Sequence, residues 1–259
     1  MRNKLIRLAA ILLVMIMYAS SAEAGLIAWY PLHGDAKAIV GNDGTLVNAP
    51  TPAPDQNGNA NGALNFQAAS TNSSGYSGTN TGSYVSVDGG AGLPGLQQGT
   101  IAMWVNWSGM QGTGWNSPPT NYGTVIARQS NGKYSNNVLG ISDPDPRVGT
   151  LTWRPYGAGA PKAVGGTPVG DNVWHFVAVT FDGTTGEQDL YLDGNLDGQG
   201  LATGALQTDT TMPLTIGAWI GDGATYSNST IHDVYLFDTV LSQDDLQALQ
   251  ATGVPYRHP

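Results

Sequence analysis

VWHFVAVTF (173–181) and TIAMWVNW (100–107) decide the fold. Both runs are rich in β-branched and aromatic residues, and both carry large side chains at successive positions. The apolar/polar alternation of a half-solvated strand therefore fades, as it does in strands covered on both faces. These two are expected as central strands. Around them, shorter runs keep the period of two: LIAWYPL (26–32), ALNF (63–66), YVSV (84–87), GTVIAR (123–128), VLGIS (138–142), DLYLDG (189–194), PLTIGAW (213–219) and TIHDVYLF (230–237). Gly, Asn, Asp or Pro bounds each of them, and so many short strands in one domain predict an all-β, two-sheet antiparallel sandwich. Asp193-Gly194 has the chemistry of a two-residue hairpin turn, and Asp182-Gly183 opens a second. One helix is expected, after Ser242: Asp244 and Asp245 fall in its first turn, Leu246 and Leu249 share a face, and Gly253 caps its end.

Composition agrees. The 259 residues are 41% hydrophobic and 11% charged, with 36 Gly, 15 Pro and no Cys. Gly and Pro cost roughly 1 to 3 kcal/mol each inside a helix, and here they recur every few residues, as strands joined by turns require. Arg2, Lys4 and Arg7 precede an apolar run from Leu8 to Ala19 that ends in Ala22-Glu23-Ala24. That pattern reads as a secretory signal over 1–24, too short in its apolar part to span a bilayer. The mature chain is then expected to fold over 25–253, with 254–259 a short tail, and to be secreted, periplasmic or held at the cell surface. Removing those three cations and Glu23 takes the formal net charge from −9 to about −11. Nucleic acid and anionic lipid, which need a basic face, are poor partners for such a chain.

The order of AWYPLHGDA, ALNF with YVSV, TIAMWVNW, VWHFVAVTFDGTTG, LYLDG, PLTIGAW and IHDVYLFDTVLSQDDLQAL resembles the laminin-G-like jelly roll of the concanavalin A-like lectin and glucanase superfamily, over about residues 26–250. The resemblance implies two antiparallel sheets of six or seven strands each. Residues 68–83 and 108–122 depart from it as unusually long polar connections, and long loops on a rigid sandwich are where binding functions sit.

The superfamily includes glucanases, whose chemistry needs paired carboxylates. The mature chain holds one glutamate, Glu187, and the E-x-D-x-x-E strand pattern of the sandwich glucanases does not occur. The aspartates fall at turns. There is no thiol and no G-x-S-x-G, and His175 lies in a strand that reads as core. Gly90-Ala-Gly92-Leu-Pro-Gly95 lacks the following helix that a phosphate loop needs. The chain is expected to be no enzyme.

Calcium is the one cofactor to consider. Asp193-Gly-Asn195-Leu-Asp197-Gly198 matches the first half of an EF-hand loop, but Gly204 stands where the bidentate Glu belongs, so the reading is a hairpin turn. The resemblance also implies a structural calcium between the N-terminal loop and the last long strand. Asp35, Asp43 and Asp233 are the oxygen donors left there, while His33, Ala38 and His232 occupy positions where Asp is common. Hard calcium prefers oxygen to imidazole, so the site is expected to be weak.

Seven Trp and eleven Tyr against four Phe is an inventory suited to a surface where one side of a ring meets water or sugar. Trp29, Trp104 and Trp174 read as packing residues. Trp115, Tyr122, Tyr156, Trp219 and Tyr226 lie among Gly, Asn, Ser and Pro, and form a candidate carbohydrate site; the alternative is that they pin long loops to the sandwich. The sequence thus reads as an exported, non-catalytic carbohydrate-binding or surface-adhesion module whose partner is a glycan or a cell-surface protein. The alternatives are a structural or protein-interaction module of the cell envelope and, third, a divergent polysaccharide-cleaving enzyme.

Overall fold

The computed structural model describes residues 25–67, 82–107, 123–129, 136–142, 149–154, 163–169, 172–206, 211–220 and 225–253. The expected signal and tail, residues 1–24 and 254–259, lie outside the described residues. In chain order the strands are β1 (Leu26–Tyr30), β2 (Thr45–Val47), β3 (Thr51–Ala53), β4 (Ala63–Phe66), β5 (Tyr84–Val87), β6 (Gln98–Trp107), β7 (Gly123–Gln129), β8 (Asn136–Ser142), β9 (Thr150–Arg154), β10 (Ala163–Pro168), β11 (Trp174–Asp182), β12 (Glu187–Leu192), β13 (Asn195–Leu201), β14 (Leu214–Ile216), β15 (Ala218–Trp219), β16 (Thr225–Tyr226) and β17 (Ser229–Phe237), followed by helix α1 (Gln243–Thr252).

They form a jelly-roll sandwich. The first sheet runs β13-β12-β11-β6-β17-β4-β3, with β1 also paired to β17, which makes it eight-stranded rather than six- or seven-stranded. The second, seven-stranded, runs β10-β9-β8-β7-β14-β5-β2, and all the pairings are antiparallel. β6 and β11 lie side by side in the middle of the first sheet, in register from Trp174↔Asn106 to Asp182↔Gln98. Val177, Val179 and Phe181 point into the sandwich, where Trp153 of the opposite sheet stacks on Phe181 with ring centroids 5.7 Å apart. Phe176 and Ala178, on the other face of the same strand, belong to a second apolar cluster. This double burial erases the alternation in the sequence.

Helix α1 forms that second cluster. Ser242 accepts from the Asp245 amide (3.2 Å) while the Asp245 carboxylate accepts from the Ser242 amide (3.1 Å), which satisfies donors the first turn leaves open. Gly253 ends the helix in the left-handed conformation, φ 63°. Leu246 and Leu249 are buried with Leu26, Trp29, Phe176 and Tyr235, and each such leucine contributes roughly 1.5 to 3 kcal/mol. The Asp193-Gly194 turn has φ of 50° and 75° and joins Leu192 to Asn195, the geometry in which Asp-Gly is favoured.

Other stretches differ from the sequence reading. PLTIGAW breaks at Gly217 (φ 89°) into β14 and the small β15–β16 hairpin. β10 (AVGGTP) and β13 (NLDGQGL) lack apolar alternation because their glycines bring two edge strands together. A Cβ on Gly198 would run into the Val164 carbonyl, and one on Gly200 would lie 2.9 Å from the Ala163 backbone. These edges close the sandwich along one side.

Candidate functional site

The outer face of the first sheet is divided between two coverings. Helix α1 covers the half around Tyr235 and Phe176. Beyond that cluster a row of side chains crosses five strands in register: Trp174 opposite Asn106, Asn106 opposite Thr230, Thr230 opposite Asn65, and Asn65 opposite Thr51. Directly paired residues share a face, so the five lie on one side of the sheet. The first four are half-buried and Thr51, on the edge strand, is exposed. Asn65 Nδ2 donates to Thr230 Oγ1 (3.0 Å) and Asn106 Nδ2 to the Asn172 carbonyl (3.1 Å).

A second row behind it is aromatic, with Trp104 between Phe176 and His232. Trp104 is half-buried, edge-on to Phe176 with centroids 5.5 Å apart. His232 is only 2% exposed and lies parallel to Trp104 at 6.1 Å and edge-on to Trp174 at 5.1 Å. Its Nδ1 is 3.2 Å from Asp233 Oδ2 but off hydrogen-bond geometry, and neither ring nitrogen has a hydrogen-bond partner among the described residues. Asp55, on the β3–β4 connection, lies within the electrostatic reach of His232. Partial burial acts against its charged form, yet hydrogen bonds from Asn59 and Asn57 together with His232 hold its carboxyl below the ordinary value.

Of the five aromatic residues proposed from sequence, two are described, and both lie on the β15–β16 hairpin. Trp115, Tyr122 and Tyr156 lie outside the described residues. Trp219 is half-buried on the β15–β16 hairpin, opposite Thr225. Tyr226, on the same hairpin, is 6% exposed: its ring packs so closely over Gly82 that a Cβ there would enter it, and burial raises its hydroxyl pKa. Its surface is committed to packing. Trp29 packs as expected, 5.3 Å from Tyr235, and donates its Nε1 hydrogen to Asp233 Oδ1 (3.1 Å). Trp104 packs against the same outer cluster and Trp174 meets His232 edge-on, but both rings stay half-buried on the outer face.

The three candidate calcium ligands do not make a cage. Asp35 Oδ1 accepts from the Lys37 amide (3.0 Å), Asp43 Oδ1 from the Ala38 amide (2.9 Å), and Asp233 from Trp29. Among the described residues no group of three or more His, Asp or Glu side chains is arranged to hold a metal ion. The EF-hand-like stretch is likewise divided: Asp193 bonds His175 Nδ1 (2.8 Å) and the Phe176 amide (3.0 Å), while Asp197 accepts from Thr167 across the sandwich edge (3.1 Å). Glu187 is exposed at the start of β12, and Asp189 on the same face accepts from Gln199 (2.9 Å).

A laminin-G model, described as the concanavalin A-like lectin/glucanases superfamily, matches residues 77–247. The chain belongs to this superfamily. In rat, the sushi, von Willebrand factor type A, EGF and pentraxin domain-containing protein 1 is 32% identical over 123 residues, which is 47% of this chain and only 3% of that protein's length. Among solved structures, domain 4 of AbnA, a GH43 extracellular arabinanase from Geobacillus stearothermophilus, was determined in complex with arabinotriose. It superposes with a TM-score of 0.61 at 16% identity, over 88% of this chain and 100% of that one. The binding domain of botulinum neurotoxin DC, determined in complex with SialylT, gives 0.60 at 13% identity, over 88% and 51% of the two chains. At these identities the likeness concerns the fold. No helix among the described residues is long and apolar enough to cross a membrane.

The two indoles and the amide row escaped the sequence reading for one reason. A Trp flanked by apolar residues signals a strand covered on both faces, and periodicity does not tell a ring covered by a helix from one left half-exposed. A usable signal was present in Asn106, a polar residue between Val105 and Trp107 at an outward position of β6.

Proposed function

We propose that this domain is an exported, non-catalytic carbohydrate-binding module whose ligand lies on the uncovered half of the first sheet. The observation that supports this reading most directly is the register row of Trp174, Asn106, Thr230 and Asn65, with the half-buried indole of Trp104 in the row beside it. An indole offers a flat apolar surface to the C–H face of a sugar ring. An amide both donates and accepts, as a sugar hydroxyl does. The resemblance to solved domains captured with arabinotriose or SialylT favours the same reading.

Catalysis is not part of the proposal. Glu187 and Asp189 sit at the start of β12, which neighbours β11 but meets it at the opposite end from the indole pair: Asp189 is paired with Thr180, six positions along β11 from Trp174. Export rests on the charged, apolar and small-residue order of residues 1–24. The test is a glycan array and polysaccharide retention assay with the mature chain, repeated for Trp104→Ala and Trp174→Ala. Specific binding that either variant weakens without unfolding the domain is the expected result, with no release of reducing ends. Retention of an envelope protein with silence on every glycan would favour the protein-interaction reading instead.

A further inference from the structure

We infer that this face takes an uncharged glycan in chain form, laid across the strands, in preference to a single terminal sugar or an acidic saccharide; the inference rests on the carbohydrate reading above. The first observation is length. Trp174, Asn106, Thr230, Asn65 and Thr51 stand on five successive strands, and neighbouring strands lie about 4.8 Å apart, so the row is about 19 Å long. That is several sugar rings end to end. A pocket for one terminal residue would gather its polar groups around a point, whereas these groups are strung along a line.

The second is the chemistry of the line. It carries two carboxamides and two hydroxyls, with no cation and no carboxylate on the row itself. In each Asn one Nδ2 hydrogen is used within the protein, by Thr230 or by the Asn172 carbonyl, while no partner among the described residues bonds either Oδ1. Anchored in this way, Asn65 and Asn106 present an acceptor and a second N–H at fixed positions, which suits hydroxyls. A uronate or sialylated chain would call for Arg or Lys. Of the described cations, Arg128 is buried in the second sheet, Arg154 ends β9 in that sheet, and Lys37 lies on the loop after β1. The mature chain's charge of about −11 opposes an acidic ligand further.

The third is that the line is open at one end. β3 is the edge strand of the sheet, so among the described residues no further strand stands beyond Thr51 to stop a chain. Interior segments of a polymer can occupy such a track, and affinity then accumulates with each ring placed on it.

The experiment is calorimetric titration of the mature chain with arabino-, xylo- and gluco-oligosaccharide ladders from mono- to hexasaccharide, and with an oligogalacturonate ladder as the acidic counterpart. At least one neutral ladder is expected to gain about tenfold or more in affinity from the mono- to the tetrasaccharide and to level off beyond it. The galacturonates should bind more weakly at every length, and Asn65→Ala should flatten the length dependence while the melting temperature holds. Equal affinity for a monosaccharide and its tetrasaccharide, or tighter binding of the galacturonates, would overturn the inference and leave the carbohydrate reading standing. Silence of all four ladders would remove both.

Discussion

The imidazole of His232 lies parallel to the indole of Trp104, with ring centroids 6.1 Å apart and planes within 3°. The two residues are directly opposed on β17 and β6, so the stack spans one strand pair on the outer face. Trp174 closes on the same imidazole edge-first at 5.1 Å. The three rings fill a position where the neighbouring half of the sheet has the underside of a helix. This aromatic bed supports the polar row next to it and limits how far either indole can swing.

The first prediction separates these rings from core rings. Trp153 is fully buried between the sheets, so Trp153→Ala should cost about 3 to 5 kcal/mol through lost transfer energy and the cavity left behind. Trp104→Ala and Trp174→Ala remove rings that already meet solvent, and each should cost about 1 to 2 kcal/mol. Chemical denaturation of the three variants checks this. Equal losses would return Trp104 and Trp174 to a packing role alone.

The sheets, the central strands, the Asp193-Gly194 turn and the capped helix were legible because each has a local cause: burial periodicity, a turn that needs positive φ, a capping box. β10 and β13 were not, since their backbones are held by close approach of Gly198 and Gly200 to Val164 and Ala163, a tertiary contact that leaves no periodic trace. The candidate site was only half legible. The sequence reading sought aromatic rings beside Asn in the loops and took Trp104 and Trp174 for packing residues, because a Trp flanked by apolar residues carries the same pattern whether its ring is covered or half-exposed.

The second prediction concerns that edge. Gly198→Ala would push a methyl group into the Val164 carbonyl, and backbone cannot turn aside as a side chain can. The two sheets should separate locally, at about 1 to 3 kcal/mol. Gly166→Ala, on the facing strand, would meet only Asp197, its carbonyl at 3.6 Å and its Oδ1 at 4.0 Å, both ordinary contacts, so it should be neutral or mildly stabilising. Thermal denaturation of this pair tests whether close backbone approach, and not glycine content as such, seals the sandwich.

Calcium provides a third. Asp35, Asp43 and Asp233 each accept hydrogen bonds locally in place of converging. A ligand that binds the native state raises its stability in proportion to the logarithm of concentration over Kd. Melting curves in chelator and in millimolar calcium are therefore expected to superimpose. A clear upward shift with calcium that Asp233→Asn abolishes would restore these residues as ligands.

The fourth concerns Tyr30, whose ring is fully buried in the core and whose hydroxyl has no hydrogen-bond partner among the described residues. Burial, helped by the nearby charge of Asp43, pushes its pKa up from 10.0 to about 12. The neutral phenol is thus the form the fold holds. In the unfolded chain the same phenol ionises from about pH 10, so its contribution to stability is intact below that pH. It is lost as pH rises through the interval to about 12, by roughly 2 to 3 kcal/mol in all. Tyr191 and Tyr226 are raised in the same direction and add to the slope. Tyr30→Phe removes the buried, unpartnered hydroxyl and keeps the ring, so stability at neutral pH should hold or rise. The alkaline decline should become shallower without vanishing, because the other two tyrosines remain. Urea denaturation at a series of pH values from 8 to 11 reads both effects. An unchanged alkaline slope in the variant would mean that water or a conformational opening reaches Tyr30 in the native state.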